Sequence, residues 1–240
     1  MRTQQERTFN AYNMHICDSQ DCKDNWWPTI EPTDKVPRRL VAFQVSNAEE
    51  HKSDWCHFFI DDYRFERLWN QPERYVPILK RYKGVLSPDF STYTDMPYPM
   101  QVWNVYRSRA LSHYWQQQGM EVIPTLQWSD EGSYHFCFDG LPKGGTVAVS
   151  TVGVARSTEA SELFVRGCQE AWMRTQFRTM LMYGKRIDVG LPSNVKIRTY
   201  DNDNTVRLKK WEAEAQRAEA QEAASTESQT TKRPSEKSAH

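Results

Sequence analysis

No stretch of the 240 residues approaches the roughly 18 consecutive apolar positions that a membrane helix needs. A bilayer-spanning segment is therefore not expected. The N-terminus, Met1 to Arg7, lacks the apolar segment of a secretory signal, so the expected location is the cytoplasm. Excess charge of either sign is also missing. Lys plus Arg and Asp plus Glu both number 31, and a net charge of zero supplies no global field to draw the chain onto nucleic acid or an acidic membrane. Several reaction signatures are absent: the nucleophile elbow, the His-Glu zinc motif, the dinucleotide fingerprint, the P-loop and the kinase set. Lys143-Gly144-Gly145 is too short for a phosphate loop and reads as a Gly-rich hairpin. Cysteine is scarce and odd in number, with Cys17, Cys22, Cys56, Cys137 and Cys168. Three of the five lie in apolar surroundings, which reads as buried free thiols.

What is present is aromatic. Phe, Trp and Tyr make up 12% of the chain, with 9 Trp, too many for a disordered protein. Mean hydropathy is −0.80, but the polar excess gathers at the ends, which leaves a middle able to bury a core. Residues 1–39 are polar and broken by Pro28, Pro32 and Pro37, with Trp26-Trp27 to pack the segment onto a domain. Apolar runs then mark strands at Leu40–Val45, Trp55–Ile60, Gly84–Leu86, Val122–Trp128, Ser133–Phe138, Thr146–Thr151, Thr179–Tyr183 and Asn194–Tyr200. Pro124 implies an edge or irregular position for its strand.

Helices are expected over Glu73–Tyr82, Pro97–Gln118 and Ser161–Phe177. In the second, Asp95 is the expected N-cap, and Trp103, Tyr106, Ala110, Leu111 and Tyr114 form a stripe that faces a sheet. Residues 207–224 read as a solvated helix and 225–240 as a disordered tail, so the folded domain is expected over 40–206. Alternation of short apolar strands with helices predicts an α/β domain: a mainly parallel sheet with helices on both faces, or alternatively a reduced β/α barrel.

Five separated motifs carry a family likeness. They are His57–Phe65 (HFFIDDYRF), Ser87–Ser91 (SPDFS), Gln101–Arg109 (QVWNVYRSR), Val122–Thr125 (VIPT) with Trp128, and Phe136–Pro142 (FCFDGLP). Together they resemble a family of bacterial, phage and mobile-element proteins known as a domain of unknown function. The resemblance spans roughly residues 40–185. It implies a bacterial or phage protein and brings no catalytic residues with it.

Ligands of parallel α/β sheets sit beyond the carboxyl ends of the strands, where helix N-termini add partial positive charge. The residues just past the expected strands are Asp61 and Asp62; Ser87, Asp89 and Ser91; Trp128, Ser129 and Asp130; Ser150, Thr151 and Gly153; and Tyr183 with Gly184. Asp62 and Asp89 are the candidate catalytic pair. With Asp130 or Asp139 they can ligate a divalent cation such as Mg²⁺, the one cofactor suggested, or they can divide acid and base roles. The structural alternative is helix capping or pairing with Arg. Arg107 next to the apolar stripe requires a partner, either Asp89 as a bridge or a phosphate. Arg64, Ser91, Arg107, Trp128 and Ser150 are the candidate substrate-binding residues; Arg109 is expected in solvent. Trp128 and Tyr93 can stack on a ring, whereas Trp103 reads as core. His15, Cys17, Cys22, Cys56 and His57 could form a zinc site only with a second firm pair, which is missing.

Three functions follow from these residues. The first is an enzyme acting on a phosphate-bearing substrate, a nucleotide or nucleic acid, through Asp62, Asp89 and Arg107. The second is a non-catalytic phage protein that binds a host protein. The third is a nucleic-acid-binding module built on Arg64, Lys80, Arg81, Lys83, Lys209 and Lys210, against which the zero net charge weighs.

Overall fold

The structure, a computed structural model, describes residues 12–17, 22–23, 27–44, 51–202, 205–206 and 211. The chain divides into two units, residues 1–200 and 201–240. Within the first, a short antiparallel ribbon pairs β1 (Cys22–Lys23) with β2 (Trp27–Pro28). Seven parallel strands follow among the described residues. They are β3 (Leu40–Ala42), β4 (Trp55–His57), β5 (Gly84–Leu86), β6 (Val122–Ile123), β7 (Thr146–Ser150), β8 (Thr179–Tyr183) and β9 (Lys196–Tyr200). The helices are α1 (Arg67–Asn70), α2 (Pro72–Leu79), α3 (Tyr98–Gln117), α4 (Tyr134–Cys137) and α5 (Thr158–Thr175).

The strands pair in chain order, β3-β4-β5-β6 and then β7-β8-β9. The two sets are joined where Thr125 bridges Ala148, with Leu126 N–H donating to Ala148 O at 2.8 Å and Ala148 N–H to Pro124 O at 2.9 Å. Pro124 has no N–H to give, so it sits where β6 leaves β5 and meets β7. The irregular position expected for it is the one observed, in the middle of the array.

Strand order selects between the two arrangements that the sequence left open. A doubly wound sheet reverses its order at a switch point, whereas sequential order with right-handed crossovers puts every helix on one side. The bare face can then be covered only by the sheet curling on itself. One apolar cluster draws residues from all seven strands: Leu40, Trp55, Leu86, Ile123, Ala148, Leu181, Tyr183 and Tyr200. His57 on β4 and Tyr183 on β8 have ring centroids 4.3 Å apart, although β5, β6 and β7 lie between them in the sheet. In a flat sheet four strand spacings would separate them by about 19 Å. The domain is an α/β fold of the reduced-barrel kind, with two further clusters packing helices on its outer face. Gly84 stands opposite Trp55 in the register, and a Cβ there would come within 2.6 Å of the indole. The strand carries glycine because the barrel interior needs that ring.

The barrel is closed by side chains and a strap. The Tyr200 hydroxyl donates to Pro37 O at 2.6 Å, and Arg198 to Arg38 O at 3.2 Å. Thr146 N–H donates to Thr33 O at 2.7 Å, and Arg178 pairs with Asp34. Residues just ahead of β3 thus meet the amino ends of β7 and β8 and side chains from the middle and the last position of β9.

Three local expectations are corrected. Ser133–Phe138 is not a strand: Asp130 Oδ1 accepts from Gly132 N–H, starting a 3₁₀ turn (Glu131–Ser133) that runs into α4, and Phe136 and Cys137 face the core. Asp95 does not cap α3, whose N-cap position is Pro97. The α3 stripe is also broader than expected. Val105, Ala110, Leu111 and Trp115 are fully buried, together with Asn104, Arg107, Ser108, Arg109 and Ser112, while Trp103 is 39% exposed. In the second unit, Asn202 Oδ1 accepts from Thr205 N–H at 2.8 Å at the start of a helical turn, and Trp211 is exposed. Apart from those residues, the helix expected over 207–224 and the tail over 225–240 lie outside the described residues.

Candidate active site

Strands β4 and β5 are neighbours, and their carboxyl ends feed the two loops that carry Asp62 and Asp89. The β5 loop is pinned along its length by side chains from elsewhere. Ser87 O accepts from Thr125 Oγ1 (2.8 Å), Pro88 O from Ser108 Oγ (2.7 Å), Phe90 O from Gln127 Nε2 (2.7 Å) and Ser91 O from Asn104 Nδ2 (2.7 Å). Phe90 is buried against Phe65, centroid to centroid 5.0 Å. Every one of these donors is a buried polar group that would be costly if unpaired, so the loop is rigid for a physical reason.

The loop presents Asp89. Among the described residues its carboxyl has no hydrogen-bond or ion-pair partner. Burial, and next the charge of Asp62, push its pKa up to about 8. Asp62 begins the 3₁₀ turn Asp62–Arg64 and is held differently. Ser91 donates to it twice, from N–H to Oδ2 and from Oγ to Oδ1, each at 3.0 Å. The Ser91 and Tyr93 hydroxyls are also 3.0 Å apart. Since the single serine proton is committed to the carboxylate, the phenol supplies the proton between them.

Arg107 does not bridge to Asp89. It donates to Glu66 Oε1 and Asn104 Oδ1, both at 2.6 Å, and its guanidinium lies 3.9 Å from the Phe90 ring centre. Burial lowers its pKa and Glu66 opposes that shift, with Asp62 adding a smaller opposing effect. Asn104 therefore joins two parts of the site: it accepts from Arg107 and donates to the Ser91 carbonyl. Glu66, Asn104 and Phe90 were not legible as site residues. Only the spacing of Asn104, three before Arg107 on one helix face, offered a signal.

The other candidates fall into place separately. Arg64 is half-buried and makes no ion pair or side-chain hydrogen bond among the described residues. Tyr63 and Tyr93 flank the carboxylates and are 76% and 63% exposed. Trp128 lies beyond β6, but its ring turns to α5, where Nε1 donates to Leu163 O at 3.2 Å and the ring packs on Phe138, Phe164 and Gly167. It is not presented as a stacking platform. Ser150 ends β7 at the same end of the sheet and accepts locally from Val152 N–H. Arg109 is fully buried, contrary to expectation, with Nε on Asp139 O and Nη2 on Cys137 O; burial lowers its pKa to about 10.

Asp130 is occupied by its own turn. No group of three or more His, Cys, Asp or Glu placed to hold a metal exists among the described residues. This removes both the three-carboxylate cation site and the zinc site. His57 and Cys56 are buried in and behind the barrel wall, where burial lowers His57 to about 3 and raises Cys56. What remains is a two-carboxylate site. Mg²⁺ commonly takes only one or two protein carboxylates and completes its shell with water and substrate phosphate.

No helix among the described residues is long and apolar enough to cross a membrane. No solved structure matches the chain. The Gene 1 protein of Mycobacterium phage L5 is 42% identical over 190 residues, covering 77% of this chain and 81% of that protein. The Gene 1 protein of Mycobacterium phage D29 is 43% identical over 179 residues, covering 72% of this chain and 66% of its own length. Residues 23–201 match the domain of unknown function DUF4417, which takes in the whole barrel and both carboxylate loops, and the chain belongs to that family.

Proposed function

We propose that the protein is an enzyme acting on a phosphate-bearing, ring-containing substrate, a nucleotide or nucleic acid, with Asp62 and Asp89 as its reacting groups. The observation that carries this reading is the contrast within the β5 loop. Its carbonyls at Ser87, Pro88, Phe90 and Ser91 are each satisfied by an imported donor, yet the carboxyl it presents is left without a partner. A fold that spends four side chains to fix a loop and then leaves its acid unpaired is holding that acid for something else.

The two carboxyls sit in unlike environments, which is how one pair divides acid and base work. Asp89 keeps its proton near neutral pH and gives it to a leaving oxygen. Asp62, fixed by two donors from Ser91, orients the attacking water or ligates Mg²⁺. Arg64 faces the substrate phosphate, and Tyr63 or Tyr93 stacks on the base or sugar ring. Arg107 stands behind this set as the buried clamp on Asn104 and Glu66, and Ser150 ends β7 at the same end of the sheet.

The test is turnover of a panel of nucleoside phosphates and single-stranded DNA and RNA oligonucleotides, with and without Mg²⁺. Product is expected from the natural protein and is expected to fall at least 100-fold in Asp62→Asn and in Asp89→Asn. A folded protein that turns over none of the panel, with Mg²⁺ present, overturns the reading. The non-catalytic phage protein that binds a host protein would then take its place, with the exposed Tyr98, Met100 and Trp103 of α3 as the apolar surface to examine.

A further inference from the structure

The segment ahead of the barrel brings two thiols together that the carboxylate site does not use. Cys17 follows the 3₁₀ turn Met14–Ile16, whose Ile16 is buried in the core beside α3 and whose preceding Asn13 donates through Nδ2 to Trp69 O at 2.5 Å. Cys22 opens β1 and pairs in register with Pro28. The two cysteines are therefore anchored by separate contacts, and their Sγ atoms lie 3.5 Å apart as hydrogen-bonded thiols. A disulfide needs about 2.05 Å between sulfurs, so a closure of about 1.5 Å completes the bond.

We propose that Cys17 and Cys22 form a redox-active dithiol that closes to an intramolecular disulfide on reaction with a small-molecule disulfide such as oxidised glutathione. Cys22, the half-exposed member, attacks first as its thiolate on one glutathione sulfur. The glutathione S–S bond breaks, a Cys22–glutathione bond forms, and one glutathione thiolate leaves. Cys17, the buried member, then attacks the Cys22 sulfur and displaces the second glutathione thiolate. Two electrons pass from the dithiol to the glutathione disulfide, and the two cysteine protons end on the two glutathione thiols. Cys56, Cys137 and Cys168 do not compete: all three are fully buried, and burial raises their thiol pKa values.

The pair is coupled to the body of the domain. Tyr106 lies beside both thiols; its phenol is pushed up to about 12, first by burial and then by the two cysteines. Its ring stacks on Trp103 at 5.6 Å and meets the edge of Trp69 at 6.4 Å. Tyr106 immediately precedes Arg107 on α3, so the oxidation state of the pair is felt on the helix that clamps the candidate site.

The experiment is mass spectrometry of the full chain equilibrated with oxidised glutathione, followed by tryptic digestion. Both cysteines fall in the peptide of residues 8–23. In the natural protein that peptide is expected two hydrogens lighter, free of glutathione, and restored by dithiothreitol. Cys17→Ser is expected to retain one glutathione on Cys22. Tryptophan emission should shift on oxidation of the natural protein and not of Cys17→Ser. The proposal fails if the natural protein keeps glutathione on Cys22 as the variant does. It also fails if the natural protein remains fully reduced while Cys22 is alkylated by iodoacetamide.

Discussion

Ser91 donates both its backbone N–H and its hydroxyl to the Asp62 carboxylate, 3.0 Å each, and so locks the β4 loop to the β5 loop. Ser91→Ala removes one of these bonds and keeps the other. It is expected to cost about 1.5–3 kcal/mol of stability, the usual loss for a hydrogen bond to a charged group, measurable as a lowered urea midpoint with unchanged slope. If the proposed reaction is correct, turnover falls as well, because Asp62 then keeps only the backbone N–H on Oδ2 and is held less firmly.

Asp89 and His57 leave opposite marks on the pH dependence of stability. The Asp89 pKa rises from 3.8 to about 8 on folding, so the native state holds a proton that the unfolded chain has lost, and stability drains away between those values. The His57 pKa falls from 6.5 to about 3, so stability drains away as pH drops through that window. Each slope is at most about 1.4 kcal/mol per pH unit. From about pH 4 to 6.5 the two offset each other; above 6.5 Asp89 acts alone. The difference between Asp89→Asn and the natural protein, from urea titrations at several pH values, should therefore shift in favour of the variant as pH rises from 4 to 8. A difference that stays constant would contradict a protonated Asp89.

Arg107 is engaged on three sides, by Glu66, Asn104 and the Phe90 ring. Arg107→Ala strands the buried Asn104 oxygen and the Phe90 ring, while Glu66, 38% exposed, turns to water; it is expected to lose about 1–3 kcal/mol, the range for an unsatisfied buried group. Arg107→Lys keeps the charge but not the planar fork, and should recover only part of that loss. Chemical denaturation of both variants checks the order.

Gly167 sets helix propensity against packing. Alanine within a helix normally gains about 0.5–1 kcal/mol over glycine. Here a Cβ on α5 would come within 2.1 Å of the Trp128 indole. Gly167→Ala is expected to be net destabilising, by about 1–3 kcal/mol as for other overpacked sites, with a changed near-ultraviolet signal from Trp128.

The strands were legible because each is a short apolar run, and β5 and β8 match their expected limits to the residue. Strand order was not legible: an apolar run declares that it is buried and not which neighbour it pairs with. The curl of the sheet shows only in contacts such as His57 with Tyr183. Ser133–Phe138 misled because its aromatics alternate, while the Asp130 turn that starts the helix lies outside that pattern. Asp62, Asp89, Ser91 and Arg107 do gather in one region, since neighbouring parallel strands bring their following loops together. The partner of Arg107 was missed because Glu66 is 41 residues away in sequence and lies on no periodic pattern. Trp103, expected inside, is 39% exposed, while α3 buries the polar Asn104, Arg107, Ser108, Arg109 and Ser112.

The Tyr200 hydroxyl on Pro37 makes the last strand a tie for residues that precede the first. During synthesis β4 to β8 each emerge with a preceding neighbour already made, but this joint waits for a residue 163 positions later. Long-range closure of this kind is slow and comes late in folding. On a translating ribosome the nascent chain would therefore persist as an unsealed half-pipe with its inner aromatic surface open to solvent. That interval is the one in which the polypeptide most needs protection from aggregation.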